Sequence, residues 1–255
     1  MHISLVQILG GLLTIGVRLT GLLLFAPFFG SLVIPARVKA VLVMSLTALL
    51  YPMISTKIPV VSISQWPMIV FGELLIGAAL GVATNLVFDG VQMAGQVLSV
   101  QMGYSLVNIL DPQTQVDSTV VAMFHQTIVM LIFLRLDVHI WIFRALTRSF
   151  DYLPPSSGHF GAAFTSAALH SGALAFSIGI QIAAPVLSAT LLADIALGLM
   201  GKASPQLPLM LLGPAVKSLL GLLILIASLK YWPSIFERLF LSSLELAEHL
   251  LHVAQ

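Results

Sequence analysis

Arg18, Glu73, Asp89, Asp194 and Lys217 each stand in a stretch of sequence that otherwise carries no charge. Ionisable groups in apolar helices are costly, and they persist where they pair, face water or relay protons. Three acids and two bases spread over several segments fit two chemistries: structural ion pairs between helices, or a carboxylate relay that moves protons or ions. A second group is defined by period. Asn85, Asp89, Gln92, Gln96, Ser99 and Gly103 step by four, three, four, three and four, which stacks them on one helix face. That face is polar for about 27 Å at 1.5 Å per residue. Each unpaired polar group in hydrocarbon costs several kcal/mol, so the stripe must meet protein or water. It is either glue between helices of one bundle, or a wall of a water-filled conduit or assembly seam.

Three other constellations have chemical spacing but lack its context. The run "ALGLMGKAS" from 196 to 204 nearly fits a phosphate loop. The residue after Lys202 is Ala203, however, which cannot ligate magnesium, and no strand pattern precedes it. Glu245, Glu248, His249 and His252 have metal-ligand spacing. They also fall on the polar side of an amphipathic segment, where a solvated face is the simpler reading, so no metal site is assigned. His170 and Ser171 are adjacent, and neighbours on a helix do not face each other, so no nucleophile with a partnered base is formed. No catalytic group and no cofactor is expected.

These residues must be positioned by membrane-type helices. With 11 basic and 10 acidic residues among 255 and 58% hydrophobic residues, the chain lies far from the roughly 25% charged usage of soluble domains. Mean hydropathy is +1.05. Charge-free runs recur from 19 to 229 and merge into roughly six spans, at about 20 residues per span. Leu, Ala, Met and Ile at helical spacing dominate, and the ten-residue alternation of a membrane β-barrel is absent. The fold class is all-α, an integral membrane-type helical protein. The start "MHISLVQILGG" has no basic flank or small-residue cleavage site and reads as part of the first helix. The absence of Cys excludes thiolate metal sites and cysteine nucleophiles. A net charge of +1 gives no reason to expect nucleic acid.

Along the chain, a first helix is expected over about 3–29, ending where Pro27, Gly30 and Pro35 punctuate "APFFGSLVIPARVKA", and a second runs to about Tyr51. A third starts near Pro67. The stripe-bearing helix then breaks into "GYSLVNILDPQTQVDS", because Pro112 lacks an N–H and disfavours helical geometry at Asp111. The stretch from 149 to 170 is the longest rich in Pro, Gly and Ser and marks the internal boundary. Beyond it, 171–200 and 207–232 form a helical hairpin around the turn at Lys202, Pro205 and Gln206. Basic residues place that turn and the 30–39 loop on the cytoplasmic side. From Pro233 the tail is amphipathic. Phe236, Leu239, Phe240, Leu244, Ala247 and Leu251 share one face, which should lie on a partner or at the bilayer interface.

The order of short landmarks resembles the FliR family of flagellar export-gate proteins and their type III secretion counterparts, over essentially the whole chain. Carrying it are Arg18 with "APFFG" and "PARVK", Glu73 in "GELLIGAALG", "AGQVLSVQMGYS" leading into "DP", and "FLRLDVH" followed by Ser149, Phe150 and Pro154. "ALGL", "SPQL" and "LLGPAVK" follow downstream. The resemblance implies a non-enzymatic core subunit with a FliP-like portion at 1–165 and a FliQ-like hairpin with its amphipathic helix at 166–255. Such a subunit would join FliP and FliQ in a helical ring around a protein-conducting pore, beside FlhA and FlhB, in the bacterial inner membrane at the flagellar basal body. Unfolded flagellar proteins would be its cargo.

Carried over residue by residue, the resemblance makes Leu106, Val107, Asn108, Ile109, Leu110, Asp111 and Pro112, within a loop 106–116, a plug of the closed pore. Asp89, Gln92, Gln96, Ser99, Gln101, Met102 and Gly103 become its pore or subunit seam. Arg18, Glu73, Asp194 and Lys217 are read as buried ion-pair residues. Two other functions remain open: a virulence-type secretion gate, and a proton-coupled small-molecule transporter drawing on Asp89, Asp194 and Lys217. The lack of obvious inverted repeats with paired broken helices weighs against a transporter.

Overall fold

A computed structural model describes residues 5–31, 33–55, 65–104, 119–155, 157–158, 160–204, 206 and 208–254. Among them are eight α-helices and no strand: α1 (Leu5–Phe25), α2 (Ala36–Ile54), α3 (Trp66–Gln101), α4 (Val120–Arg135), α5 (Val138–Tyr152), α6 (Ala162–Ala203), α7 (Leu209–Ser228) and α8 (Trp232–Val253). A 3₁₀ turn, Leu229–Tyr231, links the last two.

Proline sets several of the boundaries. Pro35 and Pro208 stand immediately before α2 and α7, and Pro67 is in the first turn of α3, where a missing N–H removes no helical bond. α1 is shorter than its apolar run. Beyond Phe25 the chain turns through Pro27 and Phe28, the latter at φ 69°, a left-handed backbone uncommon for a bulky residue. α6 is longer than expected and starts at Ala162 instead of near 171. The segment "AAFTSAALH" is rich in Ala, the strongest helix former, and that outweighs its polar composition.

Among the described residues, five helical segments are long and apolar enough to cross a membrane: Ile8–Phe25, Ala36–Ile54, Trp66–Gln101, Ala162–Ala203 and Leu212–Val253. α4, with 16 residues, reaches only about 24 Å and falls short of the hydrocarbon thickness, which explains five such segments against roughly six.

The chain divides into two compact units that interleave along the sequence. Unit 1 comprises Met1–Val87, Leu134–Ala173 and Phe240–Gln255; unit 2 comprises Phe88–Phe133 and Leu174–Leu239.

In unit 1, Ile15, Ile54 and Phe150 form a buried cluster flanked by Leu50 and Tyr51. α1 and α3 approach until backbone meets backbone. A Cβ on Gly77 would collide with the Arg18 carbonyl, and one on Gly81 would lie 2.7 Å from the Leu22 carbonyl. Small residues four apart permit this contact. Gly77→Val should therefore lower the thermal midpoint of the purified chain, with a cost of about 1–3 kcal/mol or more from overpacking. Gly198→Val, where a Cβ would meet nothing within 4 Å, is the control expected to leave the midpoint nearly unchanged. The part of α8 in unit 1 packs on its own chain: Leu241 and Leu244 share a hollow with Trp141 and Ala145 of α5, and His252 lies 5.0 Å from the Tyr152 ring. An intramolecular partner thus meets this segment.

In unit 2, Ala94 and Leu98 of α3 and Met102 just after it pack with Val121 of α4, Ala183 and Val186 of α6, and Leu225 of α7.

Candidate functional site

In unit 1 the two buried charged residues, Arg18 and Glu73, meet each other. Arg18 is fully buried in α1, and its Nε pairs with the Glu73 carboxylate on α3. One terminal nitrogen donates to Ser149 Oγ at 2.9 Å, and the other to the Leu153 carbonyl at 2.9 Å. The guanidinium lies 3.8 Å from the centre of the Phe150 ring. Three helices and the turn after α5 are thereby fixed to one planar group. Arginine suits this place because its rigid fork addresses several acceptors at once. The glycine contacts allow it, since α1 and α3 must be close for Glu73 to reach Arg18. Ser149 in turn donates to the Leu146 carbonyl.

The polar residues of unit 2 gather at the end of α3. Gln101 donates from Nε2 to Asp194 of α6 at 2.9 Å, and Asp194 also pairs with Lys217 of α7 at 3.0 Å. Tyr104 and Ser218 hydroxyls bond at 2.7 Å. Ser99 donates to Thr119, at the start of α4. Met102 is buried beside Gly221, and Gly103 takes φ 86° against Pro214, a conformation that favours glycine. The last turn of α3 is thus tied to both arms of the α6–α7 hairpin and to α4.

The seven seam residues divide by environment. Ser99 and Met102 are buried, Gln92, Gln101 and Gly103 are half-buried, and Asp89 and Gln96 are exposed in this chain. Periodicity alone separated Gln101 from the stripe, yet Gln101 makes the bond to Asp194. Asp194 and Lys217 pair with each other, and in the isolated chain their side chains are 41% and 19% exposed. Lys202 and Gln206 are exposed. Pro205 and all seven plug residues, Leu106 to Pro112, lie outside the described residues.

Of the constellations set aside, Ser171 donates to the Ala167 carbonyl one turn back while His170 is exposed. Among the described residues, no three His, Cys, Asp or Glu converge as a metal would require. His125 was not foreseen. It is buried on α4, Nδ1 donates to the Val121 carbonyl at 2.7 Å, and its ring lies 5.1 Å from that of Trp232. No sequence signal links two residues so far apart in the chain.

Sequence comparison bears on all of this. The profile of the family described as Bacterial export proteins, family 1, matches residues 9–243. The flagellar biosynthetic protein FliR of Pectobacterium carotovorum subsp. carotovorum is 30% identical over 237 residues, covering 92% of this chain and 90% of its own. FliR of Escherichia coli (strain K12) is 28% identical, with 88% and 85% covered. FliR of Bacillus subtilis (strain 168) is 27% identical, with 97% of both chains covered.

Proposed function

The chain belongs to the family of bacterial export proteins, family 1, and from that membership we propose that it is a membrane-embedded subunit of the flagellar protein-export apparatus. The observation that carries this reading is the match over 9–243, which takes in the Arg18–Glu73 node and the unit 2 network alike. Five membrane-length apolar segments support a place in the bacterial inner membrane, at the flagellar basal body. The function is transport without catalysis.

In the finer form of the proposal, the subunit joins FliP and FliQ around a pore for unfolded flagellar proteins, next to FlhA and FlhB. Helix length supports an assembly of this kind. α3 has 36 residues and α6 has 42, or about 54 and 63 Å, and both exceed a hydrocarbon core of about 30 Å. Their excess apolar length must be covered by protein if it leaves the bilayer. α2 is suited to such cover, since Val41, Met44, Leu49 and Met53 are all exposed. Segment 106–116 is the plug of the closed pore, and Gln96, Gln101 and Met102 belong to the helix that carries it.

Co-expression with FliP and FliQ should yield one co-purifying membrane complex. A stable separate monomer that never associates would sink the pore assembly while leaving family membership intact. A virulence-type secretion gate is the second reading; complementation of a flagellar FliR deletion, scored by motility, separates the two.

A further inference from the structure

On α4 the buried residues are Val121, Ala122, His125, Val129, Ile132 and Phe133, a stripe at helical spacing in which His125 alone is not apolar. The position suits a leucine, and a titratable ring stands there instead. Among the described residues the buried ionisable side chains are Arg18, Glu73 and His125. Arg18 and Glu73 neutralise each other, whereas His125 has no ion-pair partner among the described residues. The charged and titratable groups around it in unit 2 are engaged elsewhere or face outward. Asp89 of α3, Lys230 and Tyr231 of the turn after α7, and Glu237 and Arg238 of α8 are exposed, and Asp194 of α6 pairs with Lys217 of α7.

The ring stands where α7 turns into α8. Trp232, the first residue of α8, lies 5.1 Å from it with the two planes tilted by 43°. Trp232 is held in turn by Ser228, which accepts from Nε1 at 3.2 Å, and by the Phe236 ring at 5.7 Å. With Nδ1 donating to the Val121 carbonyl, Nε2 is the atom left to take up a proton, and it has no partner among the described residues. An imidazolium here would be an uncompensated charge among apolar and aromatic side chains, which a packed structure opens to avoid. α4 lies outside the five membrane-length segments, and burial holds His125 below the ordinary imidazole range. An opened, hydrated ring therefore binds the proton more readily than the packed one. The contact is stable above about pH 6.5 and weakens as pH falls below it.

We propose that His125 and Trp232 form a proton-operated joint, closed at neutral pH and opened by acid, that frees the α7–α8 junction from α4. A leucine at 125 would hold the junction at every pH; histidine makes the hold conditional. The joint belongs to the isolated chain and does not depend on assembly around a pore.

The test uses the full chain in detergent with Trp66, Trp141 and Trp232 replaced biosynthetically by fluorotryptophan. The fluorine resonance of Trp232, assigned with Trp232→Phe, is followed from about pH 8 to about pH 5, a range that spans the imidazole titration. Its shift on exchanging H2O for D2O reads water contact. That shift should be small at the upper end and rise severalfold at the lower end, while those of Trp66 and Trp141 change little. In His125→Leu, which keeps the packing and cannot be charged, Trp232 should stay dry throughout; His125→Gln, uncharged and polar, serves in the same way. The thermal midpoint of the parent should also fall by several degrees more over this range than that of either variant. A Trp232 resonance that stays dry in the parent down to about pH 5 overturns the proposal, with no variant needed. So does acid exposure of Trp232 that persists in the variants, exposure of all three tryptophans together, which is general acid unfolding, or midpoint curves that run parallel.

Discussion

Arg18→Ala is expected to lower the thermal midpoint of the purified chain by roughly 6–20 °C and to empty the membrane of folded protein at growth temperature. The substitution strands the Glu73 carboxylate and the Leu153 carbonyl and takes from the Ser149 hydroxyl the donor it accepts from, leaving only its bond to the Leu146 carbonyl. Removing one member of a buried ion pair costs about 3–5 kcal/mol, because the remaining charge stays buried without compensation. Against a total stability of about 5–15 kcal/mol, that loss is decisive. Arg18→Lys should recover only part of it, since one ammonium cannot serve acceptors lying in three directions.

The informative variant is the double substitution Arg18→Met with Glu73→Leu. It removes both charges and keeps most of the volume, and buried pairs replaced in this way are often neutral in stability. It should therefore be more stable than Arg18→Ala, with Ser149 still bonded to the Leu146 carbonyl. Midpoints measured in detergent by intrinsic fluorescence decide the matter. A single variant as stable as the parent, or a double variant worse than the single, would show that the node contributes little.

The Arg18 node also shows where sequence reading stops. A charge inside an apolar run announces that it needs a partner, and Arg18 and Glu73 were visible for that reason. Their partnership was not, because 55 residues separate them and a third helix adds Ser149 from 131 residues away. Period carries local information well. In α8, Phe236, Phe240, Ala247 and Leu251 are buried, as the spacing required. The stripe on α3 behaved differently, since 4-3-4 spacing says which residues share a face but not what lies opposite. Gln101 is off that face and still bonds to Asp194, at a distance set by the α6–α7 hairpin. Helix ends were legible where Pro stands at a start and were missed at Ala162, where polar composition concealed a strong propensity. The all-α class followed from hydropathy and residue type, which need no tertiary information, whereas the roughly six spans expected become five membrane-length segments among the described residues because α4 is too short.

Deleting Asn108–Gln115 is expected to leave the chain able to assemble with FliP and FliQ while making the closed export gate conduct ions. The first half of this expectation rests on how the loop is anchored. Ser99 bonds to Thr119, and a Cβ on Gly95 would strike Ala122, so α3 and α4 already touch where the loop leaves and returns. The deletion leaves six residues, 105–107 and 116–118, between Tyr104 and Thr119. Joining ends already in contact carries little strain, and loop-closure entropy changes only slowly with length. The tie from Gln101 to Asp194 and the Tyr104–Ser218 bond lie outside the deletion. The second half rests on what is removed. Ile109 and Leu110 are the aliphatic side chains that the deletion removes, and an apolar constriction blocks ions by excluding water. Without them the polar face of α3 would border a continuous wet path. Planar-bilayer conductance of the co-purified complex, compared before and after deletion, reads the effect directly. Intact assembly with unchanged conductance would count against the plug, whereas loss of assembly would mean that the segment holds subunits together and does not seal the pore.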